Sequence, residues 1–174
     1  MIEKEYERSK LKRNNSERYN LILKHPAYQE YLKRNEAEER NRSFCRHDLP
    51  HFLDVARIAY IINLEQSLNY SKELIYAIAL LHDIGRWKQY TENLPHDIAS
   101  AELAEPILIE CGYQESERKQ ILEAILSHRR VGRTRNSLNE IIYEADKTSR
   151  ACYCCKASAE CNWTEEKKND FIKY

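Results

Sequence analysis

The stretch Ile78-Ala79-Leu80-Leu81-His82-Asp83-Ile84-Gly85 places an imidazole and a carboxylate side by side at the end of an apolar run. Read back at helical spacing, Ile75, Ile78 and His82 lie on one stripe, and Asp83 lies beside it. Two ionisable groups that face a core need partners, because burying an unpaired charge is costly. A metal ion is one such partner, since His and Asp are common nitrogen and oxygen ligands.

Other polar residues also interrupt apolar helical stripes, and they turn this weak dipeptide signal into a strong one. Each lies three or four residues from apolar neighbours, so each projects from an apolar helix face. Hydrogen bonds among themselves would hardly satisfy so many inward polar groups from separate helices, whereas a shared metal ion would. The predicted metal-binding residues are His51, His82, Asp83, His96, His128 and Asp146.

The order His, His-Asp, His, His, Asp resembles the HD-domain superfamily of metal-dependent phosphohydrolases. Three stretches carry the resemblance: His-Phe-Leu-Asp-Val-Ala at 51–56, Ala-Leu-Leu-His-Asp-Ile-Gly at 79–85 and Glu-Ala-Asp-Lys at 144–147. The likeness is strongest to small bacterial HD proteins. It implies an all-α fold, an HD-domain helical bundle around a buried His/Asp metal centre. The whole chain, 1–174, would be a single HD domain with a core at about 45–150, an N-terminal helical extension at 1–44 and a Cys-rich C-terminal segment at 151–174.

The resemblance also implies how the ligands divide between two ions. His51, His82, Asp83 and Asp146 would hold one ion. His96 and His128 would add a second, with Asp83 bridging the two. Imidazole and carboxylate ligands suit one or two divalent transition metal ions, namely Fe, Mn, Zn, Ni or Co, and Mg²⁺ is also compatible. The absence of thiolates from this set argues against a purely structural zinc site. The neighbouring pair at 47–48, His-Asp, is predicted to be an N-cap or a support for the ligands.

Composition favours helices and excludes several classes of partner. The chain has only 3 Gly and 4 Pro, and 32% of its residues are charged. Its formal net charge of zero gives no general attraction to nucleic acid or anionic membranes. No apolar stretch is long enough to span a bilayer, and residues 1–13 lack a signal-peptide hydrophobic region. We therefore expect a cytoplasmic protein with mainly reduced cysteines.

Capping residues and prolines predict where the helices begin and end. The run 35–42 is interpreted as a solvated helix face. Gly85 is predicted to end its helix in a left-handed C-cap. The predicted helices start at Ser16, Pro26, His51, Ser71, Pro95, Glu115 and Ser137, and they end near Lys24, Arg42, Leu68, Gly85, Gly112, Arg129 and Cys152.

The favoured function is hydrolysis of a small phosphorylated metabolite or nucleotide by a metal-activated hydroxide. Asp83 would bridge the ions or orient the water, and cations would contact the phosphate, Arg86 first and Lys147 second. Two alternatives remain open: a di-iron HD-fold oxygenase, and a nucleotide-binding sensor without turnover. The complete ligand set argues against the sensor. Further cations flank the predicted ligands at Lys88, Arg129, Arg130 and Arg133.

Cysteines crowd the segment that follows Asp146. Cys152 and Cys155 have a C-x-x-C spacing, and Cys161 follows them. In a cytosolic protein this spacing indicates metal or redox chemistry rather than a disulfide. With Cys45, these residues could form a second, thiolate site for zinc or an iron–sulfur cluster. The simpler interpretation is that they are small buried apolar residues.

Overall fold

The computed structural model describes residues 17–129 and 136–174, and these residues form α-helices and short 3₁₀ turns but no strand. The prediction of an all-α fold is therefore confirmed. None of the described helices has the length and apolarity needed to cross a membrane. The predicted helix start at Ser16 and the cations Arg130 and Arg133 lie outside the described residues. The helices are α1 (Tyr19–Lys24), α2 (Pro26–Glu38), α3 (Leu49–Glu65), α4 (Lys72–Leu81), α5 (Arg86–Thr91), α6 (His96–Glu110), α7 (Glu115–Ser127) and α8 (Leu138–Thr148).

Helix α4 forms the centre of the bundle. Its side chains at Ile75 and at 77–81 are fully buried, which fits a helix that is apolar on nearly every side. Helices α1, α3, α6, α7 and α8 all contact it. The two residues that follow its last turn, His82 and Asp83, are consequently buried as well. The helices of the bundle therefore surround the His82-Asp83 pair.

Side-chain caps fix the starts of the helices that lead to this centre. Ser71 accepts a hydrogen bond from the Leu74 N–H at the start of α4, as predicted. Asp48 accepts one from the His51 N–H at the start of α3, which confirms its predicted role as an N-cap. The α3 helix ends earlier than predicted, because Ser67 adopts a left-handed backbone with φ of 53° and ends the helical path.

Gly85 is required for a different reason from the one that the sequence indicated. The predicted left-handed C-cap is wrong, because its φ is −92°. A Cβ atom at this position would lie 2.5 Å from the Ser100 nitrogen and 2.6 Å from the Ala99 carbonyl carbon. Glycine therefore lets the turn 82–85 lie directly against α6, where the Gly85 N–H donates to Ser100 Oγ at 2.9 Å. Helix α5, which the sequence did not predict as a separate element, starts at the next residue.

The polar run 35–42, which spans the end of α2, is not wholly solvated, contrary to the prediction. Asn35 and Glu39 are buried, and together with Tyr28 and Leu32 they continue one helical face. The Asn35 amide donates to the Asp83 carbonyl oxygen at 3.0 Å and accepts from the Trp87 N–H at 2.8 Å. Asn35 therefore fixes the backbone on both sides of Gly85.

Asn35→Ala should lower the free energy of unfolding by about 1–3 kcal/mol, because it leaves the buried Trp87 N–H without its acceptor. Denaturant titration measures the change. The matched control is Asn41→Ala, an exposed asparagine just beyond the same helix. Equal stabilities of the two variants would contradict the proposed role of Asn35.

Candidate metal centre

Six buried side chains meet at one point in the bundle, and they are the six that the sequence singled out. They form two groups, in each of which every residue offers one ligand atom within 4.8 Å of the others. Asp83 belongs to both groups. Their assignment as metal ligands stays a prediction, but the convergence on which it depends is present. The first group is His51, His82, Asp83 and Asp146, and the second is Asp83, His96 and His128.

Five separate helices bring these side chains together. His51 lies in the first turn of α3, and His96 is the first residue of α6. The His82-Asp83 pair follows α4, and His128 follows α7. Asp146 projects from the last turn of α8. Helix ends are well suited to such a site, because a side chain there can reach inward without displacing core residues of the same helix.

The two carboxylate oxygens of Asp83 face different groups. Oδ2 lies 3.3 Å from His82 Nε2. Oδ1 lies 3.2 Å from His96 Nε2 and 3.5 Å from His128 Nε2. On the far side of the first group, Asp146 Oδ1 lies 3.3 Å from His51 Nε2. One carboxylate can therefore serve two ions at once, which is the bridging arrangement expected for Asp83.

Two of the histidines are oriented by backbone carbonyls. His82 Nδ1 lies 2.7 Å from the Ala79 oxygen, and His128 Nδ1 lies 2.5 Å from the Ile125 oxygen. A carbonyl oxygen only accepts, so each Nδ1 carries the proton and donates it. The Nε2 lone pair of each ring is left to face the centre. This is the usual support of a metal-binding histidine.

The other two histidines are oriented by side chains. His51 Nδ1 lies 3.2 Å from the hydroxyl oxygen of Ser149, and that hydroxyl donates to the Asp146 carbonyl oxygen. His96 Nδ1 lies 2.5 Å from Gln89 Oε1. Neither Ser149 nor Gln89 was assigned this role from the sequence. Gln89 lies seven residues before His96 across a turn, and no pattern in the sequence marks that contact.

Two buried atoms at the centre lack a hydrogen-bond partner among the described residues. They are His82 Nε2 and Asp83 Oδ1. An unsatisfied buried polar atom is costly, and coordination to a cation would satisfy both. The nitrogen and oxygen donors also match the preference of divalent transition metals. The residues present therefore fit a divalent metal ion.

Two of the histidines are in the neutral form that can bind a metal ion. Burial lowers the pKa of His51 and of His96 to about 3, so both rings are neutral at physiological pH, the form that binds metal. His128 shifts the other way: burial lowers its pKa, but the Asp83 carboxylate outweighs burial and raises it. Burial also opposes ionisation of Asp83, yet the neighbouring histidines hold its pKa well below the usual range.

Two cations lie directly beside the first group. Arg150, which the sequence did not identify, places Nη2 at 2.9 Å from His51 Nε2 and 3.4 Å from Asp146 Oδ1. Its signal in the sequence was the i,i+4 spacing from Asp146. Lys147 Nζ lies 2.6 Å from Asp146 Oδ2, and 39% of its side chain is exposed. Both cations thus stabilise Asp146 as a carboxylate.

His47 lies beside Asp83 and supports it. Its Nδ1 is 2.5 Å from Glu39 Oε1, and its Nε2 is 3.7 Å from Asp83 Oδ2. Glu39 also accepts a hydrogen bond from the Tyr90 hydroxyl. Because His47, Glu39 and Asp83 are buried, these contacts restrict how Asp83 can rotate.

A cavity of about 530 Å³ opens beside the two groups. Arg86, Arg129 and Lys147 contribute to its lining, whereas Lys88 does not and instead pairs with Glu92 at 3.7 Å. The guanidinium of Arg86 lies 2.7 Å from His96 Nδ1 and 3.1 Å from the Tyr90 hydroxyl. Arg86 therefore lies beside the second group, and its predicted contact with a phosphate stays a prediction.

Cysteines line the same cavity without forming a compact cluster. Burial raises the pKa of the Cys45 thiol, which keeps it protonated. No three thiols in the described part of the chain lie within 4.8 Å of one another. The predicted thiolate site is therefore not preformed, and it stays a prediction. The cysteines in the lining are Cys45, Cys152, Cys155 and Cys161.

Gln89→Leu should weaken metal binding at the second group by roughly ten- to a hundredfold, because His96 loses the acceptor that orients it. Metal titration with equilibrium dialysis measures the affinity. Gln66→Leu is the matched control, since Gln66 is exposed at the end of α3. Unchanged binding in Gln89→Leu would show that His96 does not depend on this contact.

Comparisons with known proteins agree with this geometry. A family model described as "HD domain" matches residues 49–151. An "Uncharacterized protein" of Clostridium beijerinckii is 49% identical over 158 residues, which cover 91% of this chain and 99% of that protein. The "Putative phosphohydrolase YueE" of Bacillus subtilis is 29% identical over 141 residues, which cover 72% of each chain. No solved structure gives a significant match.

Proposed function

Because the chain belongs to the HD domain family, we propose that it is a metal-dependent phosphohydrolase that acts on a small phosphorylated metabolite or nucleotide. The observation that carries the proposal is Asp83, whose two oxygens face two separate groups of ligands beside a cation-lined cavity. The name of the Bacillus subtilis relative supports the same class of reaction. The substrate itself goes beyond the family resemblance and is our inference.

In this proposal His51, His82, Asp83 and Asp146 hold one divalent cation, and Asp83, His96 and His128 hold a second. Such cations supply a hydroxide nucleophile near neutral pH and neutralise charge on the phosphoryl oxygens. The protein contributes the orientation of each ring through its Nδ1 contact. Burial excludes bulk water, which strengthens every charge interaction at the centre.

Arg86 is the residue that we assign to the substrate phosphate. It lines the cavity, and no carboxylate of the described chain lies within 4.0 Å of its guanidinium. A partly buried cation of this kind is available for an anionic ligand, and a guanidinium can donate two parallel hydrogen bonds to phosphate. Lys147 is already paired with Asp146 and is therefore the weaker candidate.

A substrate panel tests the proposed function. The protein, loaded in turn with Mn, Fe, Zn, Ni, Co or Mg, is incubated with phosphomonoesters, nucleotides and cyclic dinucleotides, and release of phosphate or nucleoside is measured. We expect turnover that depends on the metal and is lost on chelation. Oxygen uptake by the iron-loaded protein with a phosphonate or polyol, without hydrolysis of any panel member, would instead identify an oxygenase.

Arg86→Ala should lower kcat/KM by roughly ten- to a thousandfold, because a charge-assisted contact to the phosphate is lost in a site with little water. The bound metal, measured by elemental analysis, should remain. Arg57→Ala is the control, since Arg57 is an exposed arginine on α3. Normal kinetics for Arg86→Ala would remove this residue from the proposal.

A further inference from the structure

More than half of the cavity wall comes from segments on either side of the family match. Of the twenty described residues that line it, eleven lie outside 49–151. They include Arg42 and Phe44 from the loop before α3, and Trp163 and Lys168 from the chain after α8. The family region therefore supplies the proposed metal ligands, while the flanking segments supply much of the space around them.

The cavity wall carries more positive charge than one bound phosphate would neutralise. Within the described part of the chain, six lining residues are Lys or Arg and two are acidic. Both acidic residues, Asp83 and Asp146, are proposed metal ligands, so bound cations would neutralise them. A cavity with this balance attracts a ligand that carries several negative charges.

Besides Arg86, the cavity wall contains a second arginine, Arg42, whose guanidinium has no carboxylate of the described residues within 4.0 Å. Only its Nε is used, as a donor to the Cys45 carbonyl oxygen at 2.9 Å, and its guanidinium lies 5.8 Å from the centre of the Phe44 ring. Among the described residues no carboxylate lies within 4.0 Å of Arg42 or of Arg86, whereas the other four lining cations each have one within that distance. The two terminal nitrogens of Arg42 therefore remain for a bidentate contact.

The Cys45 contact also orients Arg42. It closes a short loop between residues 42 and 45, and Phe44 lies beside the guanidinium and lines the cavity too. A side chain fixed in this way loses less entropy when it binds a ligand than a free surface arginine would. Arg42 thus has the properties of a recognition residue rather than those of a solvated surface charge.

We propose that Arg42 forms a second anion subsite, so that the substrate carries an acidic group in addition to the phosphate that reacts. The proposal rests on the proposed function for the place of the reacting phosphate, beside Arg86 and the metal centre. The second group is a phosphate or a carboxylate, since either accepts two parallel hydrogen bonds from a guanidinium. Arg42 would then determine specificity without taking part in the bond cleavage.

The test compares three phosphonates, which are not hydrolysed, in calorimetric titrations of the metal-loaded protein without oxygen. Propylphosphonate carries one anionic group, a propane with a phosphonate at each end carries two, and phosphonopropionate carries a phosphonate and a carboxylate. In Arg42→Ala we expect the affinity for one of the two doubly charged ligands to fall roughly tenfold or more, and that for propylphosphonate to change less than twofold. The ligand with the larger loss identifies the second group.

Two variants make the outcome decisive. Arg42→Lys should recover only part of the affinity, because a lysine keeps the positive charge but cannot donate two parallel hydrogen bonds from one planar group. Arg57→Ala, which removes an exposed arginine elsewhere, should bind all three ligands normally. An equal loss for all three in Arg42→Ala, or no loss for any, would overturn the second subsite.

The titrations need no turnover, so the two proposals can fail separately. Selective loss in Arg42→Ala without hydrolysis of any panel member would retain the subsite and reject the hydrolase. Hydrolysis of phosphomonoesters, together with unchanged affinities in Arg42→Ala, would retain the hydrolase and reject the subsite.

Discussion

Asp83→Ala should remove most of the bound metal and lower kcat by about a thousandfold, the largest effect that we expect from one side chain. Asp83 is the only residue shared by the two groups of ligands in the described chain. Its loss would take one oxygen from each group and leave three neighbouring imidazoles without the carboxylate that faces them. Elemental analysis after purification and assays on the identified substrate measure the two effects.

The matched control for this variant is Asp54→Ala, which removes an exposed aspartate from α3. It should keep its metal and its activity. Circular dichroism must show that the Asp83 variant still contains the native amount of helix, so that loss of metal is not a result of unfolding. A folded Asp83→Ala protein with its full metal content would refute the shared-ligand arrangement.

Gly85→Ala is expected to have the largest effect on stability. The added methyl group would lie 2.5 Å from the Ser100 nitrogen and 2.6 Å from the Ala99 carbonyl carbon, and backbone atoms inside a helix cannot move aside easily. Overpacking of this kind should cost about 3 kcal/mol or more. The corresponding decrease in Tm, roughly 6–12 °C, is measured by thermal unfolding.

Gly112 provides the comparison, because its backbone conformation, and not a lack of space, favours glycine there. Its φ of 79° lies in the left-handed region, but a Cβ there would meet no atom within 4 Å. Gly112→Ala should therefore cost only about 1 kcal/mol, from backbone strain alone. Metal binding should weaken in Gly85→Ala, where the neighbouring Asp83 must shift, and stay normal in Gly112→Ala. A larger loss of stability in Gly112→Ala than in Gly85→Ala would show that the close approach to α6 is not what requires a glycine at position 85.

The sequence was sufficient to predict the helical fold and the convergence of six polar residues. His51, His96 and Asp146 lie within apolar helical stripes, and His82, Asp83 and His128 directly follow such stripes, so helical periodicity was enough to predict that all six point inward. The family resemblance then indicated which residues would share an ion. The division into a core and two flanking segments stays a prediction.

Residues that support the centre could not be found in the same way. Asn35 and Glu39 lie in a highly charged run, and only their continuation of the face that begins at Tyr28 distinguishes them from solvated neighbours. Gln89 reaches the site through tertiary packing, which no local pattern encodes. Arg150 had only its i,i+4 spacing from Asp146 as a signal. Gly85 was recognised as a special position, but only the approach of α6 distinguishes a tight contact from a left-handed turn.

The five helices that carry the proposed ligands have a consequence for how this chain folds. The first proposed ligand is His51 and the last is Asp146, so the complete set would exist only after nearly the whole bundle has formed. A cation bound there would act as a cross-link between distant parts of the chain, absent from the unfolded state. Binding and folding are then linked, and a free metal concentration one hundred times Kd would add about 2.7 kcal/mol to the stability. The concentration of free metal would thus change the fraction of folded protein as well as its activity.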